Sequence, residues 1–240
     1  MLNRVIFSAR FWSVKNTVLM ITILSLVYLI GLAFRAGLAD VFASQSTQQM
    51  VTWTKTKQIP TQTQWQFVLE AIERAHNLHP EHPDYFEILG RVFEWQALMN
   101  DEQADGVATT ARRQALQYFQ RAVELRPVWP YGWASLALTK QRLNELDVDF
   151  VHAMAQAIHF GAHDGKVQLM IADAGLAVWR ELDSQTQQQV MQMVANGMQK
   201  RPAEMTVVAQ RHLMLGLVCA NIRRTNISKK YCQDAFLKNN

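Results

Sequence analysis

The 240-residue chain is rich in helix-favouring residues and has only 10 Gly and 6 Pro, and no long stretch alternates polar and apolar residues. We therefore expect an all-α protein with almost no strand. The net charge of +4 comes mainly from basic residues beside an N-terminal apolar run, so no nucleic-acid partner is predicted, because a nucleic-acid-binding domain carries its basic stripe on its folded part.

The apolar run covers residues 18–34 and lies between Lys15 and Arg35. As a helix, the segment between these two cations spans roughly 28 Å, close to the thickness of a hydrocarbon core of about 30 Å. More basic residues precede the run than follow it closely. The positive-inside rule then predicts a cytoplasmic basic tail at 1–17, one transmembrane helix at 18–35, and export of the rest of the chain. In a bacterium this is a single-pass inner-membrane protein whose C-terminal domain lies in the periplasm.

A cleaved signal peptide is the alternative interpretation of the same segment. Small residues stand near Ala43, where a peptidase would cut before Ser44. This cleavage site lies far beyond the apolar run, so we prefer a retained anchor. Both interpretations place the remainder of the chain outside the cytoplasm.

Residues 36–63 are rich in Gln and Thr and contain few large apolar residues. This composition predicts a spacer, helical in part, that holds the following domain away from the bilayer. Pro60 would interrupt any helix there.

Two spacings beyond residue 63 are typical of a tetratricopeptide repeat. The first-helix pattern W-x2-L-G-x2-Y is matched with its aromatics exchanged, and the second-helix pattern A-x3-F-x2-A-x4-P is matched in full. The matching residues are Phe86, Leu89, Gly90, Phe93, Ala115, Phe119, Ala122 and Pro127. They predict that 64–240 forms a tetratricopeptide-like right-handed α-superhelix of antiparallel helix pairs, an architecture that usually binds another protein.

The best repeat carries an insertion around residues 100–110, because Gly90 and Ala115 are further apart than the pattern requires. The inserted residues either form an acidic loop or extend both helices. Insertions of this kind often lie on one face of an array and serve binding, but the sequence leaves a functional role here open.

The only two cysteines, Cys219 and Cys232, both lie in the part of the chain predicted to be exported. An even number of cysteines in that compartment predicts a disulfide. Two buried, unpaired thiols are the alternative. A metal site needs more ligands than this pair supplies.

Catalytic motifs are absent from the sequence, including a Gly-rich phosphate loop, G-x-S-x-G and H-E-x-x-H. We therefore predict no enzyme, no catalytic residues and no cofactor. His76, His79 and His82 are spaced by three, but prolines at 80 and 83 separate them. We interpret them as loop histidines and predict no metal site.

Five residues are candidates for partner binding. Arg91, Trp95 and Lys140 belong to first helices of the predicted repeats, which would line a concave face. Trp129 and Trp133 flank Pro130 in a loop and would either pack as a lid or anchor a partner.

The whole layout resembles a family of bacterial polysaccharide-biosynthesis accessory proteins, the VpsP type. The resemblance lies in the basic N-terminus before residues 18–34, the Gln-rich spacer, the helix around 85–90, and the two late cysteines. It implies a role in making or exporting an extracellular polysaccharide, with protein components of a membrane polysaccharide-synthesis complex as partners.

The leading hypothesis from the sequence is thus a membrane-anchored protein-interaction scaffold assisting exopolysaccharide biosynthesis or export. The alternative is a periplasmic chaperone or assembly factor, for example in cytochrome or envelope-complex maturation. A polysaccharide-modifying enzyme would need converging carboxylates, which the pattern does not place.

Overall fold

The computed structural model describes residues 2–100, 106–222 and 230–232, with side chains from Val14 onward. Throughout these residues the regular structure is helical, without a strand, as the composition predicts. The helices are α1 (Leu2–Thr56), α2 (Gln62–Leu78), α3 (Pro83–Met99), α4 (Val107–Leu125), α5 (Pro130–Arg142), α6 (Val148–Gly161), α7 (Gly165–Ala177), α8 (Ser184–Lys200), α9 (Pro202–Arg211) and α10 (Leu215–Asn221).

Helix α1 is a single element of 55 residues with two different surfaces. Its part from Val14 contains an 18-residue window with a mean hydropathy of 2.4, and none of that window is buried. By length and composition, α1 is able to cross a membrane. From Ala39 onward the same helix enters the protein core, where Ala39, Ala43, Met50 and Trp53 are at most 5 % exposed.

The segment predicted to be a spacer, 36–63, therefore differs from the prediction, because most of it is a core helix. Its buried positions recur every three or four residues, which is the stripe of a packed helix. The stripe was hard to see in the sequence, since alanines and the buried Ser46 occupy three of its five positions. The helix does end before Pro60, at Thr56.

Helix α2 runs antiparallel to α1. The Ser46 hydroxyl donates to the Val68 carbonyl at 3.1 Å, and the Arg35 guanidinium donates to the Leu78 carbonyl at 3.4 Å. The later of these two α1 residues contacts the earlier of the two α2 residues, so the helices run in opposite directions. The C-terminal end of α2 thus returns to the point where α1 leaves the core.

Helices α3 and α4 form the next antiparallel pair. A Cβ placed on Gly90 would lie 2.5 Å from the ring of Phe119, so the two helices approach as closely as a glycine allows. Where α3 begins and α4 ends, the Arg126 guanidinium donates to the Asp84 carboxylate at 2.7 Å. These contacts join the two halves of the repeat that the sequence predicts.

The later helices continue the alternation of direction. Gly161 at the end of α6 lies against Pro130 at the start of α5, and Gly175 of α7 lies against Val190 of α8. The odd-numbered helices up to α7 therefore run one way and the even-numbered helices the other. That these pairs coil into a right-handed tetratricopeptide-like superhelix stays a prediction.

Polar N-caps explain where several helices begin. The Asp147, Asp164 and Asp183 carboxylates accept backbone N–H groups of the first turns of α6, α7 and α8, which satisfies donors that have no partner inside the helix. Thr61 and Gln64 form a capping box at the start of α2.

Two short helices, α9 and α10, follow α8 in the C-terminal region. α9 and α10 are separated at Leu213, whose φ of 58° is left-handed and cannot continue a helix. Cys219 and Cys232 are at disulfide-bonding distance, with Cα atoms 5.7 Å apart, which confirms the predicted pairing.

The insertion lengthens both helices of the best repeat, since α3 continues to Met99 and α4 begins at Val107. The acidic residues of the predicted loop, at 101–105, lie outside the described residues.

Candidate partner-binding surfaces

A groove of about 300 Å³ lies where α1 and α3 run side by side. The exposed face of α1 forms one wall, and the first turns of α3 form the other. The groove begins five residues beyond Arg35, which on a helix is about 7.5 Å past the end of the apolar run. Its lining residues are Asp40, Ala43, Ser44, Thr47, Gln48, Val51, His82, Asp84, Tyr85 and Ile88.

Tyr85 fixes the spacing of the groove walls. Its phenol donates to the Asp40 carboxylate at 2.7 Å, and its side chain is almost fully buried. Burial and the neighbouring Asp40 carboxylate raise the pKa of Tyr85 above its usual range, so the phenol remains a donor at neutral pH. This bond ties α3 to α1 at the end of the groove nearest the apolar run.

Of the three histidines singled out in the sequence, His79 and His82 lie beside Tyr85 at this same end. His82 stacks on Tyr85 with ring centroids 4.3 Å apart, and its Nδ1 atom is buried without a hydrogen-bond partner among the described residues. His79 lies 5.3 Å from His82 between ring centroids, whereas His76 packs against Phe86. Within the described part of the chain, no group of three or more His, Cys, Asp or Glu side chains is placed to hold a metal ion.

Of the predicted partner-binding residues, Trp95 faces α1. Its ring meets Trp53 edge to face, with centroids 5.4 Å apart. The ring therefore belongs to the contact between α1 and α3. Sequence reasoning missed this contact because it did not place α1 in the core.

Lys140 is buried at the end of α5, with a side chain that is 4 % exposed. Its ammonium donates to Asp147 at 2.9 Å and to Glu145 at 3.5 Å. The hydrogen bond and charge of Asp147 raise the pKa of Lys140 against the opposing effect of burial. The ammonium is thus held inside the turn between α5 and α6, where it satisfies two carboxylates of the chain itself.

Trp129 and Arg91 come together around Glu87 of α3. The Trp129 indole donates to Glu87 at 3.1 Å, and the Arg126 guanidinium lies 4.1 Å from the Trp129 ring centroid. Burial raises the pKa of Glu87, which the charge of Arg91 opposes. Trp129 remains 39 % exposed, so part of its ring is free for contact.

Trp133 lies in the first turn of α5 and packs against the loop that precedes this helix. Its indole donates to the Pro127 carbonyl at 2.6 Å, and its ring meets His152 of α6 edge to face. These contacts agree with the lid role that the sequence analysis considered for a loop tryptophan.

A polar seam between α3 and α5 was not predicted. Glu94 accepts from Thr139 at 2.6 Å and also pairs with Arg142. Glu87 and Glu94 are seven residues apart, two helical turns, so both face α5. This spacing is the signal in the sequence from which the seam could have been found.

No protein-family model matches the chain, and no curated protein matches it significantly. The functional argument therefore depends on the helical fold, the apolar half of α1 and the surfaces described above.

Proposed function

We propose that this protein is a membrane-anchored protein-interaction scaffold that assists exopolysaccharide biosynthesis or export. One observation carries the proposal: the exposed apolar half and the core-packed half of α1 belong to one uninterrupted helix. An anchor built in this way holds the folded part at a set height and orientation above the bilayer. A flexible linker would set neither.

In this proposal residues 18–35 span a bacterial inner membrane, 1–17 remain in the cytoplasm and the folded part lies in the periplasm. The disulfide pair supports this placement, since such bonds persist in oxidising compartments. The helix pairs form the tetratricopeptide-like superhelix, for which the close contact of Gly90 with Phe119 is the best support.

The groove between α1 and α3 is the binding surface in this proposal. It combines apolar contacts from Val51 and Ile88 with uncharged polar groups of Ser44, Thr47 and Gln48. Its partner would be a protein component of a membrane polysaccharide-synthesis complex that presents a segment just outside the bilayer. Confinement of both proteins to one membrane raises their effective concentration, so that tight intrinsic affinity is not needed.

A photo-crosslinking residue placed at position 48 tests this assignment in full-length protein in native membranes. Gln48 lines the groove, whereas Gln49, which is also exposed, does not, so position 49 is the matched control. We expect position 48, and not position 49, to crosslink polysaccharide polymerase or export components.

Other results would count against the proposal. Crosslinks from position 48 to unrelated exported clients or maturation enzymes would support the periplasmic chaperone or assembly-factor alternative. Equal yields at both positions would remove the groove as the binding surface.

A further inference from the structure

The turns that follow α2, α4 and α6 lie on the same edge of the folded part as the point where α1 leaves it. We call this the anchor edge and define it as residues 79–82, 126–129 and 162–164. The Arg126–Asp84 pair links the first turn to the second. Tyr131, which donates to Asp164 at 2.7 Å, links the second to the third.

The height of the anchor edge follows from contacts along α1. Val68 lies level with Ser46, and Leu78 is ten residues further along α2, about 15 Å nearer the apolar run. Leu78 therefore lies level with residue 36, in agreement with the Arg35–Leu78 hydrogen bond. The next turn is at the height of Asp40, because Tyr85 bonds Asp40 and its neighbour Asp84 pairs with Arg126.

This height corresponds to the headgroup region of a bilayer. Asp40 is about 7.5 Å beyond Arg35, and the polar layer on each side of a membrane is roughly 5–8 Å thick. If α1 spans the membrane between Lys15 and Arg35, the first two turns of the anchor edge are brought to the lipid surface without any further movement, and the third is joined to them through the Tyr131–Asp164 hydrogen bond.

Large apolar side chains are exposed at this height. Val128 is 64 % exposed, and Trp129 and Phe160 are each 39 % exposed. Val128 and Trp129 belong to the second turn, and Phe160 lies in the last turn of α6, just before the third. The two sites are neighbours, since Gly161, which follows Phe160, lies against Pro130, which follows Trp129. Tryptophan with one polar and one apolar side is the residue that favours membrane interfaces, and Trp129 has its indole nitrogen bound to Glu87.

We propose that the anchor edge rests on the lipid surface, with Val128, Trp129 and Phe160 in contact with the headgroup region. The folded part then lies along the membrane and holds the groove between α1 and α3 at a constant height. This inference depends on the membrane anchor of the proposed function but not on the identity of any protein partner.

The test uses the full chain reconstituted in phosphatidylcholine–phosphatidylglycerol vesicles, with the native disulfide kept oxidised. Single Val128→Cys and Val148→Cys variants carry an environment-sensitive fluorophore on the new thiol. Val148 is the matched control, because it is also an exposed valine at a helix–helix connection but lies at the opposite edge. The length of α5 separates the two edges by about 20 Å.

We expect lipids with a nitroxide at the headgroup or upper acyl chain to quench the fluorophore at position 128 several-fold more than at position 148. The emission at 128 should also shift to shorter wavelength when vesicles replace detergent. Equal quenching at the two positions would overturn the inference.

A third variant, Leu26→Cys, shows whether α1 is inserted in the membrane. It therefore distinguishes an anchored protein whose edge stays off the lipid from a protein that is not anchored. Strong quenching at position 26 by deep acyl-chain nitroxides, together with equal quenching at 128 and 148, leaves the anchor intact and refutes only the resting edge. Absence of quenching at 26 refutes the anchor, and the inference with it.

Discussion

Trp53→Ala tests whether the part of α1 that the sequence predicts to be a spacer contributes to the stability of the core. Trp53 is 5 % exposed, and its ring packs against Trp95 of α3. Replacing a buried tryptophan by alanine removes its transfer free energy and leaves a cavity, which costs about 3–5 kcal/mol. This is a large fraction of the roughly 5–15 kcal/mol that stabilises a typical domain.

Thr52→Ala is the matched control, because Thr52 is the preceding residue of the same helix and is exposed. Its hydroxyl donates to the Gln48 carbonyl within α1. We expect this substitution to change the free energy of unfolding by less than about 0.5 kcal/mol. Urea unfolding followed by circular dichroism, in detergent and with the full chain, measures both variants without relying on tryptophan fluorescence.

The reasoning is refuted if Trp53→Ala and Thr52→Ala unfold at the same urea concentration, since residues 36–63 would then behave as a spacer. A double-mutant cycle with Trp95→Ala adds a second readout. The coupling of an aromatic pair in contact is about 0.5–1.5 kcal/mol, and additive effects would contradict the ring contact.

Three further predictions concern packing, a helix cap and the disulfide. Gly90→Val should lower the free energy of unfolding by about 1–3 kcal/mol, because even its Cβ meets the buried ring of Phe119; thermal unfolding should show Gly216→Val, in open space, to be milder. Asp147→Ala should cost about 1 kcal/mol by removing the α6 cap and a further amount by removing one of the two carboxylates that pair with the buried Lys140 ammonium, while Asp147→Asn keeps an acceptor for the cap. The hydrogen bond from Lys140 lowers the pKa of Asp147 in the folded protein. The stability advantage of the wild type over the Asn variant is therefore fully present above the pKa of Asp147 in the unfolded chain, which is about 4, and is lost as the pH falls through the lower pKa of the folded state. Urea titrations at several pH values test this. Reducing the disulfide, which closes a separation of 13 residues, should cost up to about 3 kcal/mol, and an unchanged unfolding midpoint in dithiothreitol would argue against a stabilising bond.

The candidate surfaces were only partly predictable. The pattern identified Trp129 and Trp133 as loop aromatics, and the structure places Trp129 immediately before α5 and Trp133 in the first turn of that helix. Lys140 was expected on a concave face, because it belongs to a first helix of the predicted repeats. Its burial depends on Glu145 and Asp147, whose approach is set by the turn between α5 and α6.

The groove itself had no sequence signal, because its walls come from two helices that were assigned to different domains. Tyr85 was noted only as part of a helix pattern. Its bond to Asp40 crosses from α3 to α1, a separation of 45 residues. Neither side chain indicates such a partner from its local sequence.

The sequence alone determined the helical class and the apolar run able to span a membrane, and it predicted the pairing of the two cysteines. Each of these follows from local composition, from length, or from the small number of candidate partners. Only the tertiary structure decided that residues 39–56 belong to the core, because small side chains such as Ala39, Ala43 and Ser46 become buried when another helix approaches them. For the same reason the structure alone brought the turns after α2, α4 and α6 to one edge beside Arg35.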